Sequence, residues 1–133
     1  MRKLKTGATR DSDNGKYEYL GFINPLCDHS FAKYMHKFRT MADGTKRESR
    51  NWQKGFGLEI PAQSLVRHLE DFKLLHEGFF VYEYRKDKIV ERRVYKKKFA
   101  IPPPDHKEIT FEDSLNAIRF NAEAYKLELL LRE

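Results

Sequence analysis

The change of pattern at Gly78 constrains this chain more than any other feature. Upstream of it, Leu65, Leu69, Phe72 and Leu75 or His76 recur at the spacing of one buried helical face. Pro61 suits a first helical position and Gly78 suits a helix stop, with His76 in the last turn, so the spacing predicts a helix from Pro61 to Gly78. Downstream, Phe79-Phe80-Val81-Tyr82-Glu83-Tyr84 and the run from Ile89 to Phe99 flank the polar turn Arg85-Lys86-Asp87-Lys88. β-Branched and aromatic residues around a short polar turn read as a hairpin over 79–99. Pro102-Pro103-Pro104 then forbids a continuing helix and predicts an extended linker.

Two more helices frame this switch. Asp28 or Ser30 is a suitable N-cap for a first helix whose face carries Phe31, Tyr34, Met35 and Phe38, ending before Asp43-Gly44. Thr110 with Asp113 three residues on is a capping-box-like start for a third helix running to about Leu130. At about 100° per residue, Phe111, Leu115, Ile118, Ala122, Tyr125 and Leu129 form its expected buried stripe, and Glu112, Asn116, Arg119 and Glu123 form an opposite arc expected to face solvent. Residues 1–27 carry many turn formers around the apolar stretch Tyr17 to Ile23 and read as an ordered loop arm or a short strand. The expected fold is therefore mainly α (α+β): a three-helix core with an inserted β-hairpin at 79–99 and an N-terminal loop arm. At 133 residues this is one domain, 1–133, with no internal repeat.

A net charge of +6 favours a polyanionic partner, whether nucleic acid, nucleotide phosphate or an anionic membrane surface. The single cysteine, Cys27, excludes an intramolecular disulfide and a cysteine-rich zinc site; it is expected as a small buried residue beside a helix start, in a reducing cytoplasm. No signal-peptide apolar region and no apolar run near the ~20 residues that span a bilayer are visible, so a cytoplasmic protein with no membrane partner is expected.

Polar residues off their expected faces mark where chemistry could sit. His68 falls on the inward side of the second helix, as a core histidine satisfied by neighbours or as a base or ligand. Glu70 and Asp71 follow it but are expected to point in other directions. Asn121 lies beside Ala117, Ile118 and Tyr125, so its amide is expected to be partly buried and to need hydrogen-bond partners. Lys46, Arg47, Arg50 and Lys54 share a glycine-containing loop with the only tryptophan, Trp52, which offers a face for a base. Tyr82, Tyr84 and Tyr95 interleave with Arg85, Lys88, Arg92, Arg93 and Lys96 to Lys98, either as a nucleic-acid-binding ribbon or as a hairpin with one packed and one charged face.

Taken in order, Gly7-Ala8-Thr9-Arg10-Asp11, Gly15-Lys16-Tyr17-Glu18-Tyr19, Tyr34-Met35-His36-Lys37, Ala42-Asp43-Gly44, Asn51-Trp52-Gln53-Lys54-Gly55, Ser64 to His68, Glu112 to Leu115 and Phe120-Asn121-Ala122 resemble the phage-borne family named for dATP/dGTP diphosphohydrolase activity. The resemblance covers nearly the whole chain outside the hairpin and the proline-rich exit. It implies a mainly helical purine nucleotide-binding domain, similar in style to the all-α NTP pyrophosphatases, acting in the cytoplasm of a phage-infected bacterial host. On that reading a dNTP is hydrolysed to dNMP and pyrophosphate with Mg²⁺ held by Glu112, Asp113 and Glu70 or Asp71. His68 and Asp113 would act in catalysis, and Arg10, Lys16, Arg50, Asn51, Trp52, Lys54, Arg67 and Asn121 would contact substrate. The chain has neither E-x-x-E nor E-x-x-D, the spacings that place two carboxylates one turn apart around a hard cation. Three readings follow: a pyrophosphohydrolase, a non-catalytic viral binder that sequesters a host nucleotide signal, and a nucleic-acid-binding module built on the hairpin. Three helices and a hairpin leave more apolar surface than one small protomer covers, so a homo-oligomer with the third helix at its interface is expected.

Overall fold

The computed structural model describes the chain apart from residues 1, 4, 8, 11–14, 41–43, 49–50 and 133, and places only the backbone of Arg2, Lys3, Arg10 and Asn51. A short antiparallel pair, β1 (Arg2–Lys3) and β2 (Thr9–Arg10), precedes helix α1 (Pro25–Lys37). A 3-10 turn over Asn51–Lys54 leads to α2 (Glu59–His76). Strands β3 (Phe80–Lys86), β4 (Ile89–Tyr95) and β5 (His106–Ile109) follow, and α3 (Phe111–Leu131) closes the order. The architecture is mainly α, with three helices and a three-stranded antiparallel sheet ordered β4-β3-β5.

α1 begins earlier than Asp28 or Ser30. Asn24 is its cap, its side-chain oxygen accepting from the Leu26 and Cys27 amides at 2.9 and 3.2 Å, and Pro25 takes the position where a missing N–H costs nothing. Cys27 therefore lies inside the first turn and is exposed, not buried. α1 also ends earlier, at Lys37, and the chain turns back on itself: the Arg47 amide donates to the Arg39 carbonyl at 2.9 Å, and Thr40 bridges Lys46. No strand forms over 17–23; Tyr17, Leu20 and Phe22 lie open to solvent.

α2 starts two residues before Pro61, which stays within the first turn, and it stops as expected at Gly78. There φ is +96°, the Phe79 amide donates to Leu74 O at 3.1 Å and the Gly78 amide to Leu75 O at 3.0 Å, the paired bonds of a left-handed helix terminus. The hairpin pairs Val81 with Val94 and Lys86 with Ile89, so its turn is the two residues Asp87 and Lys88, with Asp87 at φ 54°. β5 pairs Val81 with Ile109 and converts the hairpin into a sheet. Both sheet faces are covered: Val81 and Tyr82 are both fully buried. Tyr82 packs edge-on against Tyr95 and Phe99, and its hydroxyl accepts from the Phe99 amide at 3.2 Å, so the segment after β4 folds back over that face. His106 Nδ1 donates to the Pro104 carbonyl at 2.9 Å, leaving Nε2 to accept from the Tyr95 hydroxyl at 3.2 Å.

α3 is gripped on two sides, and neither side is the expected stripe. Toward α2 it buries Ser114, Ala117, Asn121 and Ala124, and the Ser114 hydroxyl donates to His68 O at 3.2 Å; small side chains let the two helix backbones approach closely. Toward α1 it turns the arc expected in solvent. Asn116 is buried and donates to Ser30 Oγ at 3.0 Å, Ser30 donates to Glu112 at 2.7 Å, and Arg119 reaches Asp28 at 2.8 Å, the Cys27 carbonyl and the face of Phe31. Phe111, Leu115 and Leu129 of the expected stripe are instead 48%, 50% and 45% exposed, and Leu69 of the α2 stripe is 43% exposed.

Candidate functional site

A cleft of about 370 Å³ opens where α1, the 3-10 turn and α3 meet. One wall is aromatic: Trp52 meets Phe120 edge-on at 5.7 Å between ring centres, and Phe56 meets Phe120 at 6.4 Å. The opposite wall is the apolar face of α1, Tyr34, Met35 and Phe38, with Tyr34 against Phe38 at 4.7 Å. This is the face expected from the helical spacing of that segment, yet it borders open space instead of a closed core. The backbone return after α1 brings Arg39, Arg47 and Glu48 to the rim. Arg39 Nε donates to Arg47 O at 2.7 Å, which fixes the two arginines beside each other. Gly55 and Gly57, at φ +98° and +71°, take the backbone out of the 3-10 turn in conformations that L side chains resist, so Trp52 and Phe56 can face the same space.

A charged network ties α2 to the sheet within electrostatic reach of Tyr34. Asp71, 3% exposed, accepts from Arg92 of β4 at 3.0 and 3.1 Å, and its Oδ2 lies 3.4 Å from His68 Nδ1. Arg92 also reaches Glu83 at 3.1 Å. Burial opposes ionisation of Asp71, but the hydrogen bonds and charges of His68 and Arg92 outweigh it and hold the carboxyl below its usual range. The Tyr34 hydroxyl is pushed up to about 12, first by burial and then by Asp113, with Arg92 acting the other way. One ring thus lines the cleft while its hydroxyl feels the charges of Asp113 and Arg92.

The residues singled out from the sequence divide among these places. Trp52 lines the cleft, and Lys54, in the same turn, pairs with Glu48 at 3.6 Å. Lys16 is exposed on the N-terminal arm and Arg67 on α2, away from the cleft lining. Arg50 lies outside the described residues, as do the side chains of Arg10 and Asn51. Asn121 is buried as expected, and its amide donates to Ala117 O at 2.8 Å, one turn back along its own helix. His68 and Asp71 do not diverge: residues three apart share a helical face, and they meet. Phe120, read only as part of the Phe120-Asn121-Ala122 block, and Arg39 were not singled out as contact residues, although an aromatic on the side of α3 opposite its apolar stripe is a readable signal.

The carboxylates proposed for Mg²⁺ are each engaged elsewhere. Glu70 pairs with Lys73 at 3.0 Å, Glu112 accepts from Ser30, and Asp113 caps α3 while facing Lys37 at 3.6 Å. Among the described residues no three His, Cys, Asp or Glu side chains are grouped so as to hold a metal ion. This donor set does not fit a hard divalent cation, which takes several oxygen ligands at one point. Four of the eight cations of the basic hairpin are also engaged, Arg85 on Glu83, Arg92 on Asp71 and Glu83, Arg93 on Glu91 and over the Tyr84 ring, and Lys98 near Glu108. No helix of the described residues is long and apolar enough to cross a membrane. Comparison with protein-family models, with curated proteins and with solved structures finds no match for the chain.

Proposed function

We propose that the protein binds a purine (deoxy)nucleotide in the cleft between α1 and α3, with the base against Trp52 and the phosphates toward Arg39 and Arg47. The observation that supports this reading is the pairing of an aromatic wall with a two-arginine rim in a single cleft. Bases stack on aromatic faces whatever their identity, and guanidinium groups bind phosphate oxygens through paired donors. A volume of about 370 Å³ suits a small ligand, within the roughly 300–1,000 Å³ of ordinary ligand clefts. Glu48 at the same rim is an acceptor for base or ribose donors. The resemblance to the phage dATP/dGTP diphosphohydrolase family points to the same ligand class. Binding does not depend on a metal, and it is the part of that resemblance the cleft residues suit.

The experiment is a titration of the lone tryptophan's fluorescence with a panel of purine nucleotides, each with and without Mg²⁺, followed by mass spectrometry of what the denatured complex releases. Quenching by purine nucleotides and recovery of the intact ligand are expected. Trp52→Ala should weaken binding by roughly tenfold or more, since stacking on an aromatic side chain contributes ~1–3 kcal/mol per base. Release of nucleoside monophosphate and pyrophosphate would make the site hydrolytic instead. No quenching across the panel, or undiminished binding by Trp52→Ala, would remove the cleft as a nucleotide site.

A further inference from the structure

We propose that the open face of α2 and α3 is the interface of a homodimer, closed by a second copy of this chain packed antiparallel across a two-fold axis that crosses the seam at the level of residue 120. Phe111, Leu115, Ile118, Ala122, Tyr125 and Leu129 recur along α3 at alternating spacings of four and three, the apolar repeat of a helix that packs along its length on another helix. In the protomer much of this seam is uncovered: Phe111, Leu115 and Leu129 are about half exposed and Ala122 is open, while Ile118 and Tyr125 are partly buried. The seam continues sideways onto α2, because Phe111 meets Phe72 edge-on at 6.3 Å and exposed Leu69 is on the same helix one turn before Phe72. A protomer that buries Asn116, Asn121, Ser114 and Asp71 while leaving these residues open has placed its polar groups inside and much of its patterned apolar surface outside.

The size of the face matches a protein of this kind as its own partner. The 21 residues of α3 make a helix about 30 Å long, and with α2 beside it the face is about 20 Å wide, on the order of 600 Å². That approaches the ~800 Å² per partner of an ordinary stable complex and stands at the upper end of the roughly 300–600 Å² of the largest patches on monomers. The pattern is also self-complementary. Antiparallel pairing about that level sets Phe111 against the partner's Leu129, Leu115 against the partner's Tyr125, and Ile118 against the partner's Ala122, large beside small at the centre. On the flank of the seam Lys126 comes near the partner's Glu112, an opposite charge. Sequence pattern, exposure and symmetry all select a second copy.

Light scattering at tens of micromolar should give a mass near twice 15.9 kDa. Leu115→Glu should return it to the protomer mass with its far-ultraviolet circular dichroism unchanged, whereas Val90→Glu, an exposed apolar site on β4 outside the proposed face, should leave the dimer intact. A second test does not depend on the stability of a disruptive variant. In a Cys27→Ser background, oxidising a mixture of Ile118→Cys and Ala122→Cys chains should yield a covalent dimer more abundantly than either chain alone. A protomer mass for the wild-type chain would overturn the proposal and leave the face to some other occupant. A dimer that survives Leu115→Glu, or a mixture with no preferential cross-link, would overturn it as well, by placing the interface elsewhere.

Discussion

Asp71 receives Arg92 from the sheet and His68 from its own helix, so its charge ties α2 to the hairpin at one buried point. Removing that charge strands the partly buried guanidinium, which also faces Glu83. Asp71→Asn is expected to cost about 2–3 kcal/mol in urea unfolding at neutral pH. The pH dependence has a definite sign. Because the folded carboxyl sits below its ordinary value of 3.8, its stabilisation is fully present above that value and fades as pH falls through the folded one. The stability difference between wild type and Asp71→Asn should therefore be constant at neutral pH and shrink below about pH 4; a difference that grows on acidification would contradict the pairing. Tyr34 behaves oppositely. Its hydroxyl is raised from 10.0 to about 12, so stabilisation present below pH 10 is lost as pH rises toward 12. Tyr34→Phe should abolish that alkaline loss, and spectrophotometric titration of the seven tyrosines should lose its highest step in the variant.

At the scale of elements, the boundary of α3 rests on a reciprocal cap. Thr110 Oγ accepts from the Asp113 amide at 3.1 Å, and the Asp113 carboxylate accepts from the Thr110 amide at 3.3 Å. Thr110→Ala is expected to lower stability by about 1 kcal/mol in the same unfolding measurement. This cap could be read from the chain because it is local: two residues three apart settle it. The Gly78 stop and the 80–95 hairpin were readable for the same reason. What escaped depended on residues far away. β5 is four residues with little apolar pattern, and it becomes a strand only because β3 offers it an edge at Val81 to Tyr84. The start of α1 went to Asn24-Pro25 over Asp28 because the earlier pair supplies both a side-chain acceptor and a residue lacking an N–H. Periodicity correctly identified which residues of α3 share a face, but it carries no label for the neighbour on that face, so α1 met the polar arc and the apolar stripe was left open. Trp52 was marked by its basic loop; its partner Phe120 and rim arginine Arg39 come together only in the folded chain.

For the whole molecule, the consequence is a separation of two surfaces on one helix. Phe120 projects from α3 toward the cleft, on the side opposite Leu115 and Ala122. The helix backbone lies between the proposed ligand and the proposed second copy, with no side chain shared by both. Substitutions at the two surfaces should then act independently, as distant sites without common partners do, to within about 0.5 kcal/mol. Saturating nucleotide should raise the thermal midpoint of the wild-type chain, since a ligand at 100 times its dissociation constant stabilises by about 2.7 kcal/mol. Trp52→Ala should remove that ligand-dependent rise while the mass by light scattering stays that of the wild type. Leu115→Glu should halve the mass while retaining the nucleotide-dependent rise. A variant at either surface that abolishes both properties while still folded, by circular dichroism, would mean that cleft and seam are coupled through α3, and that the ligand is bound by the dimer and not by each protomer.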